Sequence, residues 1–515
     1  MATEAPQPRR ALPWVFVAAV LLYLPTIRFG YVQDDRAIVV ANPAAHGVGA
    51  ALRAFDRPYW PPPAEAGLYR PLSILSLAID WSISGGRPGW LHLANALWHG
   101  LACVLVVLVL ARWLPAWPAV VAGLVFAVHP VHVEGVANIV SRNELLATVG
   151  ILGAVLTARR RWWTAALACC GLAMLSKEHA IVVGAVLLLD DWLRPPSARR
   201  HPLWFYGLLG ALTTAYGVVW LRVGSAAAAD VAAPFVGMGA GPRLAMAFPA
   251  VLRAAQLLVF PAWLSADYSP QVIPYRTSVS LAAVFGVALV LVVLVGGIAV
   301  RRRVPALCFA ALATALVYLP TSNFVFPVGI VLAERNLYLA VLLPATLVGL
   351  AVLEALERWQ RPRVLLPLAL VLGALAARTL YRLPAWRDNR AFLLTLLADH
   401  PEAYRGQQSA AAVLAGMGRS SEARAAYARA DSLFGGDPHL QADYAYHLIG
   451  LGDTSKSATL VRAARRRLPR ERVAMRVEYL LARARREPQH AAALADTALR
   501  WFPFERSWYA AVAQP

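Results

Sequence analysis

Long apolar runs alternate with short polar connections over roughly the first three quarters of the chain, and the pattern then changes to a polar, helix-compatible one. A helix needs about 20 apolar residues to cross a bilayer. By that measure the runs at 11–29, 91–112, 115–131, 143–158, 162–176, 179–193, 202–222, 279–300, 304–320, 337–356 and 364–383 are expected to span. Two further stretches are expected not to cross. The one at 245–264 carries Arg253 and Gln256 within it and Pro249 and Pro261 near its ends, which fits an interfacial helix. The one at 70–83 is shorter and similar. The expectation is an all-α, polytopic membrane protein with about eleven spans.

Composition agrees. Of 515 residues, 59% are hydrophobic and only 15% charged, against about a quarter charged in an ordinary soluble domain. The formal charge of +20 does not point to nucleic acid, because the basic residues sit between apolar runs, where they set membrane orientation. Contact with anionic lipid is a secondary role open to them. Arg9 and Arg10 precede the first run, which lacks a convincing small-residue cleavage site and reads as an uncleaved signal-anchor. With the N-terminus inside, the inner connections hold Arg112, Arg159 to Arg161, Arg194 with Arg199 and Arg200, Arg301 to Arg303, and Arg358, Arg361 and Arg363. Cys103, Cys169, Cys170 and Cys308 all lie in apolar stretches, so no disulfide framework is implied.

The same threading brings the chemistry-bearing residues to the outer face. Asp34 and Asp35 follow the first span, His129, His132 and Glu134 the third, and Lys177 and Glu178 the fifth; Asn323, Glu334 and Arg335 lie between the ninth and tenth. Carboxylates at a membrane edge are costly and are functional candidates by default. Charge gathered at one face, not at midplane, argues against a transporter.

After about Ala385 a period emerges. Gly416-Met417-Gly418 returns as Gly450-Leu451-Gly452, and Pro469 and Pro503 share the same spacing of 34 residues. That is the tetratricopeptide (TPR) period. Residues 1–384 are therefore read as a membrane domain and 385–515 as an extracytoplasmic TPR-like helical domain. The tail either gathers partners on a concave surface or acts as a stabilising helical cap.

An ordered set of motifs carries a family resemblance. It comprises Tyr31 to Asp35, Asn42-Pro43, Tyr69-Arg70-Pro71-Leu72, Phe126 to Glu134, Ser141 to Ala147, and Leu175-Ser176-Lys177-Glu178. Asp267-Tyr268-Ser269, Ser322-Asn323 and Glu334 to Leu339, which includes Tyr338, complete it. Together they resemble the transmembrane and tetratricopeptide-containing (TMTC) O-mannosyltransferases and their bacterial relatives. The resemblance implies a GT-C glycosyltransferase fold and an inverting transfer. A sugar, mannose as first choice, would pass from a polyprenyl-phosphate donor to a protein Ser/Thr or glycan hydroxyl at the outer face. The tail is less regular than the family's eukaryotic repeats. Ala- and Arg-rich usage suggests a GC-rich bacterial genome, hence a bacterial inner membrane.

Roles follow from the chemistry. A carboxylate must take the acceptor's proton and a cation must hold the leaving phosphate. Asp34 is the expected base, with Asp35 as orienter, hydrogen-bond acceptor or metal ligand. Arg335, Arg142 and Lys177 are the phosphate candidates, with Glu334, Glu144 and Glu178 as their neighbours and competing partners. His129, His132 and Glu134 could bind a metal or serve as hydrogen-bond anchors; a divalent metal is possible and not favoured. Tyr69 and Arg70 line the acceptor path or anchor a turn, and Asp267, Tyr268, Asn323 and Tyr338 line the site. The rival from another class is a non-catalytic membrane scaffold presenting TPR repeats to periplasmic partners. No nucleic acid is expected.

Overall fold

The computed structural model describes residues 8–62, 67–195, 197–198, 200–224 and 231–513. Arg199, which enters the topology argument above, lies outside the described residues, as do residues 1–7. No β-strand occurs among the described residues. The helices of the first part are α1 (Leu12–Tyr23), α2 (Val48–Arg53), α3 (Pro71–Ser84), α4 (Pro88–Leu110), α5 (Ala116–Val128), α6 (His132–Ala137), α7 (Arg142–Arg159) and α8 (Trp163–Ser176). Then come α9 (Val183–Trp192), α10 (Leu203–Val223), α11 (Ala240–Val259), α12 (Leu281–Ala299), α13 (Pro305–Tyr318), α14 (Leu342–Arg358) and α15 (Arg361–Arg382). The tail holds α16 (Asn389–Asp399), α17 (Tyr404–Gly416), α18 (Ser420–Phe434), α19 (Pro438–Gly450), α20 (Thr454–Arg467), α21 (Arg472–Ala484), α22 (Pro488–Trp501) and α23 (Arg506–Ala513).

Seven helices are long and apolar enough to cross a membrane by length and composition. The chain is a multi-pass membrane protein. α4, with 23 residues, opens with Pro88 in its first turn, where the missing N–H costs nothing, and reaches about 34 Å. Small residues draw the bundle together. A Cβ on Gly150 would meet Ala173 and the Cys169 carbonyl at 2.8 Å, so α7 and α8 pack backbone to backbone there. Gly349 does the same for α14 against α5, with the Pro118 carbonyl at 2.7 Å.

α11 meets the length and composition criterion for a span, and the segments on either side of it both contact the chain between α13 and α14. The segment before it bonds Ala232 N–H to the Val328 carbonyl at 2.9 Å, and the segment after it places Tyr268 on Glu334. Arg70 at the start of α3 pairs with Glu178, and Gly86 beyond its end accepts from the Tyr31 hydroxyl at 2.7 Å. Gly85, at φ 62°, ends α3 in a left-handed cap.

The tail repeats one unit. Successive antiparallel hairpins α17–α18, α19–α20 and α21–α22 turn through Gly418 at φ 75°, Gly452 at φ 81° and Arg486 at φ 61°. These positions are 34 residues apart. The third carries Arg where glycine is favoured, which hides it from a glycine-based reading.

Candidate functional site

The first loop forms a tight turn whose residue Gln33 sits at φ 49°. Its N–H donates to Asn389 Oδ1 at 2.8 Å, and the N–H of Gly30 donates to the Arg387 carbonyl at 2.9 Å. The loop is thus tied to the start of the tail. Beyond that turn the two aspartates part. Asp35 is fully buried; Oδ2 accepts from the Val32 amide and Oδ1 from the Val140 amide, both at 3.0 Å. Burial pushes its carboxyl up to about 7, against the pull of those amides. Asp35 clamps the first loop onto the segment before α7. Asp34 remains partly exposed and lines a cavity of about 240 Å³ together with Glu134, Asn138, Asp267, Arg335 and Arg405. Burial raises its pKa, Arg335 draws it back, and Glu134 pushes it up again.

The four expected cations have different surroundings. Arg335 pairs with Glu134 Oε1 through Nη1, and its own N–H donates to Glu134 Oε2 at 2.9 Å. With 27% of its side chain exposed, it still faces the cavity. Lys177 is buried on Glu144 and reaches Asn336 Oδ1 at 3.2 Å; burial lowers its pKa to about 8. Arg70 grips Glu178, with Nε 3.0 Å from each oxygen, and lies 5.0 Å from the Tyr59 ring centroid.

Arg142 departs from the expected phosphate role. It is 1% exposed. Nε donates to Asn95 Oδ1 at 2.7 Å, Nη1 to Asp80 and to the Ser76 carbonyl, and Nη2 to the Leu91 carbonyl at 2.9 Å. All three nitrogens are engaged inside a closed network joining α3, α4 and α7. A sequence shows the charge of such a residue and not which neighbours enclose it.

The histidines serve the backbone. His129 Nδ1 accepts from the Val131 amide at 3.3 Å, which leaves Nε2 to donate to the Leu258 carbonyl at 3.0 Å. His132 Nε2 bonds the Tyr338 carbonyl at 2.9 Å, and Glu134 is turned to Arg335. The three expected metal ligands do not converge. Among the described residues, the His/Asp/Glu group close enough for a cation is Asp190, Asp191 and His201, at the far end of the bundle. There Asp190 is already paired with Arg112, Arg159 and Arg194.

The remaining expected residues divide between the cavity wall and its supports. Asp267 lines the cavity and accepts from Ser269 Oγ at 2.5 Å. Tyr268, also in the wall, donates its hydroxyl to Glu334 at 2.7 Å; Glu334 also accepts the Ser265 amide at 2.6 Å, and burial lifts it to about 8. Asn323 folds the following loop on itself, donating to the Ile330 carbonyl at 3.0 Å and accepting the Val328 amide at 2.8 Å. Tyr338 is buried, its hydroxyl 2.6 Å from His99 Nδ1. Tyr69 is buried near Tyr216, away from the cavity.

Sequence reasoning missed Arg405. It stands at the start of α17, in the tail, and lines the cavity with Tyr404 and Leu396. Its Nε donates to the Tyr404 hydroxyl at 3.3 Å. Nothing in the tail's repeat pattern marks this arginine; only the folding of the tail over the first loop brings it to Asp34. The result is a small polar chamber with a partly exposed carboxylate facing two guanidinium groups. It can accept a proton from a hydroxyl while holding an anion.

A family model described as dolichyl-phosphate-mannose-protein mannosyltransferase matches residues 71–220. Protein O-mannosyl-transferase Tmtc2 of Drosophila melanogaster is 38% identical over 203 residues, covering 35% of this chain and 21% of that protein. The chain resembles the TMTC O-mannosyl-transferases. TMTC3 of Homo sapiens is 26% identical over 364 residues, covering 61% of this chain and 39% of that protein. The chain thus spans less than half the length of these TMTC relatives. A crystal structure of ArnT from Cupriavidus metallidurans bound to undecaprenyl phosphate superposes loosely, with a TM-score of 0.39 and 17% identity over 92% of this chain and 78% of that one.

Proposed function

We propose that the chain is an inverting, membrane-embedded glycosyltransferase. Mannose is the sugar, a polyprenyl phosphate the carrier, and a protein or glycan hydroxyl the acceptor. The face bearing Asp34 is the extracytoplasmic one, and the membrane is a bacterial inner membrane. The observation that carries the reading is Asp34, a partly accessible carboxylate raised by burial, in one chamber with Arg335 and Arg405.

The chemistry then balances. Asp34 accepts the proton of the acceptor hydroxyl as its oxygen bonds to the anomeric carbon from one side. The bond from that carbon to the phosphate oxygen breaks on the other side, and the polyprenyl phosphate leaves with the electron pair. Arg335, fixed by two bonds to Glu134, meets the developing phosphate charge; a guanidinium suits that task because its planar donors match phosphate oxygens. A chamber of 240 Å³ is smaller than the ~300–1,000 Å³ of drug-sized sites and suits one sugar ring. Asp35 keeps the loop in register and takes no proton from substrate. The TPR-like tail closes the chamber through Arg405 and presents its outer surface to an acceptor or partner.

The test is transfer from polyprenyl-phosphomannose to a peptide or glycan pool by the full chain in lipid. Asp34→Asn is expected to cut turnover about 10²–10⁴-fold with donor binding retained. Unchanged turnover in that variant removes Asp34 from the base role. A wild-type chain that binds no polyprenyl-phosphate sugar favours the scaffold reading.

A further inference from the structure

The far end of the bundle holds a second cavity, of about 1,020 Å³. It forms where the connections α4–α5, α7–α8, α9–α10 and α12–α13 converge. Seven arginines line it, Arg112, Arg159, Arg161, Arg194, Arg200, Arg301 and Arg302, with the indoles of Trp113, Trp163 and Trp192 between them. The carboxylates that answer them are few. Asp190 takes Arg112, Arg159 and Arg194, and Asp191 takes Arg194 again. No carboxylate pairs with Arg161, Arg200, Arg301 or Arg302 among the described residues. Arg112, whose side chain is 10% exposed, has Nε and Nη1 without a hydrogen-bond partner in the cavity wall.

Membrane orientation alone asks only that basic residues lie on one side. It does not ask that four separate connections build one chamber, or that tryptophan rings carry the cations. Here Arg112 lies 4.2 Å from the Trp113 ring centroid and Arg301 4.6 Å from that of Trp192. Stacking of this kind holds guanidinium planes open for an oxyanion while supplying an apolar wall. The rim is apolar too: Leu203 is 88% exposed and Trp162 and Trp204 are more than half exposed. Such a belt marks the depth of the headgroup layer.

We propose that this cavity binds the phosphodiester headgroup of an anionic phospholipid at the face opposite the candidate site. The phosphate sits among Arg301, Arg302 and Arg112, and the glycerol and first acyl carbons lie against Trp192 and Trp163. The seven arginines over two carboxylates supply the charge, and the cavity's volume exceeds the needs of a phosphate ion. The proposal is independent of the transfer chemistry.

The experiment uses the full chain in phosphatidylcholine nanodiscs with and without phosphatidylglycerol. Native mass spectrometry counts the phosphatidylglycerol retained, and titration gives its affinity. Arg301→Gln/Arg302→Gln is expected to weaken retention by roughly thirtyfold, taking about 1 kcal/mol per basic residue near an anionic surface. Arg358→Gln/Arg361→Gln, at the same end but outside the cavity wall, is expected to retain the lipid as wild type does. Equal loss in both pairs reduces the effect to general surface charge and overturns the site, as does no loss in either. Inorganic phosphate is the competing arm: if it displaces phosphatidylglycerol, the ligand is a free anion and the lipid assignment fails. Should the first pair disturb the thermal transition, Arg161→Gln/Arg200→Gln, both exposed, replaces it with the same expected loss.

Discussion

At one end of the bundle, carboxylates and cations meet nearly one to one: Glu134 with Arg335, Glu144 with Lys177, Glu178 with Arg70, Asp80 with Arg142. At the other, three arginines converge on Asp190 and four more line the same cavity without a carboxylate. The first arrangement positions; the second attracts. Paired charges in a dry site hold one geometry because unpairing either partner is costly. An excess of one sign creates a field that a counter-charge from outside must complete. The contrast also exists within the first end, between the closed network around Arg142 and the chamber left open beside Asp34.

The largest expected effect separates those two neighbourhoods. Asp34→Asn removes the proposed base and leaves the fold, so turnover is expected to drop about 10²–10⁴-fold while the thermal transition stays near wild type. A melting temperature that falls along with turnover would make Asp34 another structural carboxylate. Arg142→Leu does the opposite. It leaves Asp80 without its cation in a buried setting and is expected to destabilise by about 3–5 kcal/mol, read by thermal or denaturant unfolding in detergent. If Arg142→Leu folds normally and loses donor affinity, the closed-network account is wrong.

A smaller effect compares the adjacent aspartates. Asp35→Asn keeps one acceptor oxygen and leaves one of the Val32 and Val140 amides unpaired, a cost of about 1–3 kcal/mol in stability. Turnover measured below the melting range should change little beside that of Asp34→Asn. The smallest effect is a shift in pH dependence. Burial already raises the pKa of Asp34, and Arg405 opposes that rise. Arg405→Gln removes a lowering influence, so the pKa climbs. Because the proposed base works deprotonated, the acid limb of the rate profile moves to higher pH. An unmoved limb would take the tail out of the site's electrostatics.

Much of this was readable beforehand in particular residues. The apolar run at 91–112 predicts α4. Arg253 and the prolines of 245–264 lead to the expectation of an interfacial helix, whereas the length and composition of α11 qualify it as a span. The gathering of Asp34, Glu134 and Arg335 at one end follows from counting spans. Other features were not readable. His129, His132 and Glu134 have ligand-like spacing, yet backbone carbonyls at Leu258 and Tyr338, over a hundred positions away in sequence, take the imidazoles. Arg405 carries no local mark, and Arg486 hides a third turn because it stands where glycine usually does.

By itself the sequence determined which segments are helical and apolar, that Asp34, Glu134 and Arg335 gather at one end, and the 34-residue period of the tail. These are properties of composition and spacing, written locally into hydrophobicity and chain alternation. Tertiary structure alone decided which aspartate opens to the chamber, which arginine is sealed and which lines the chamber, and that the tail supplies part of the wall. Those depend on the direction of a side chain and on neighbours distant in sequence. At Asp34 and Asp35, one positive-φ turn and two backbone amides separate a candidate base from a clamp.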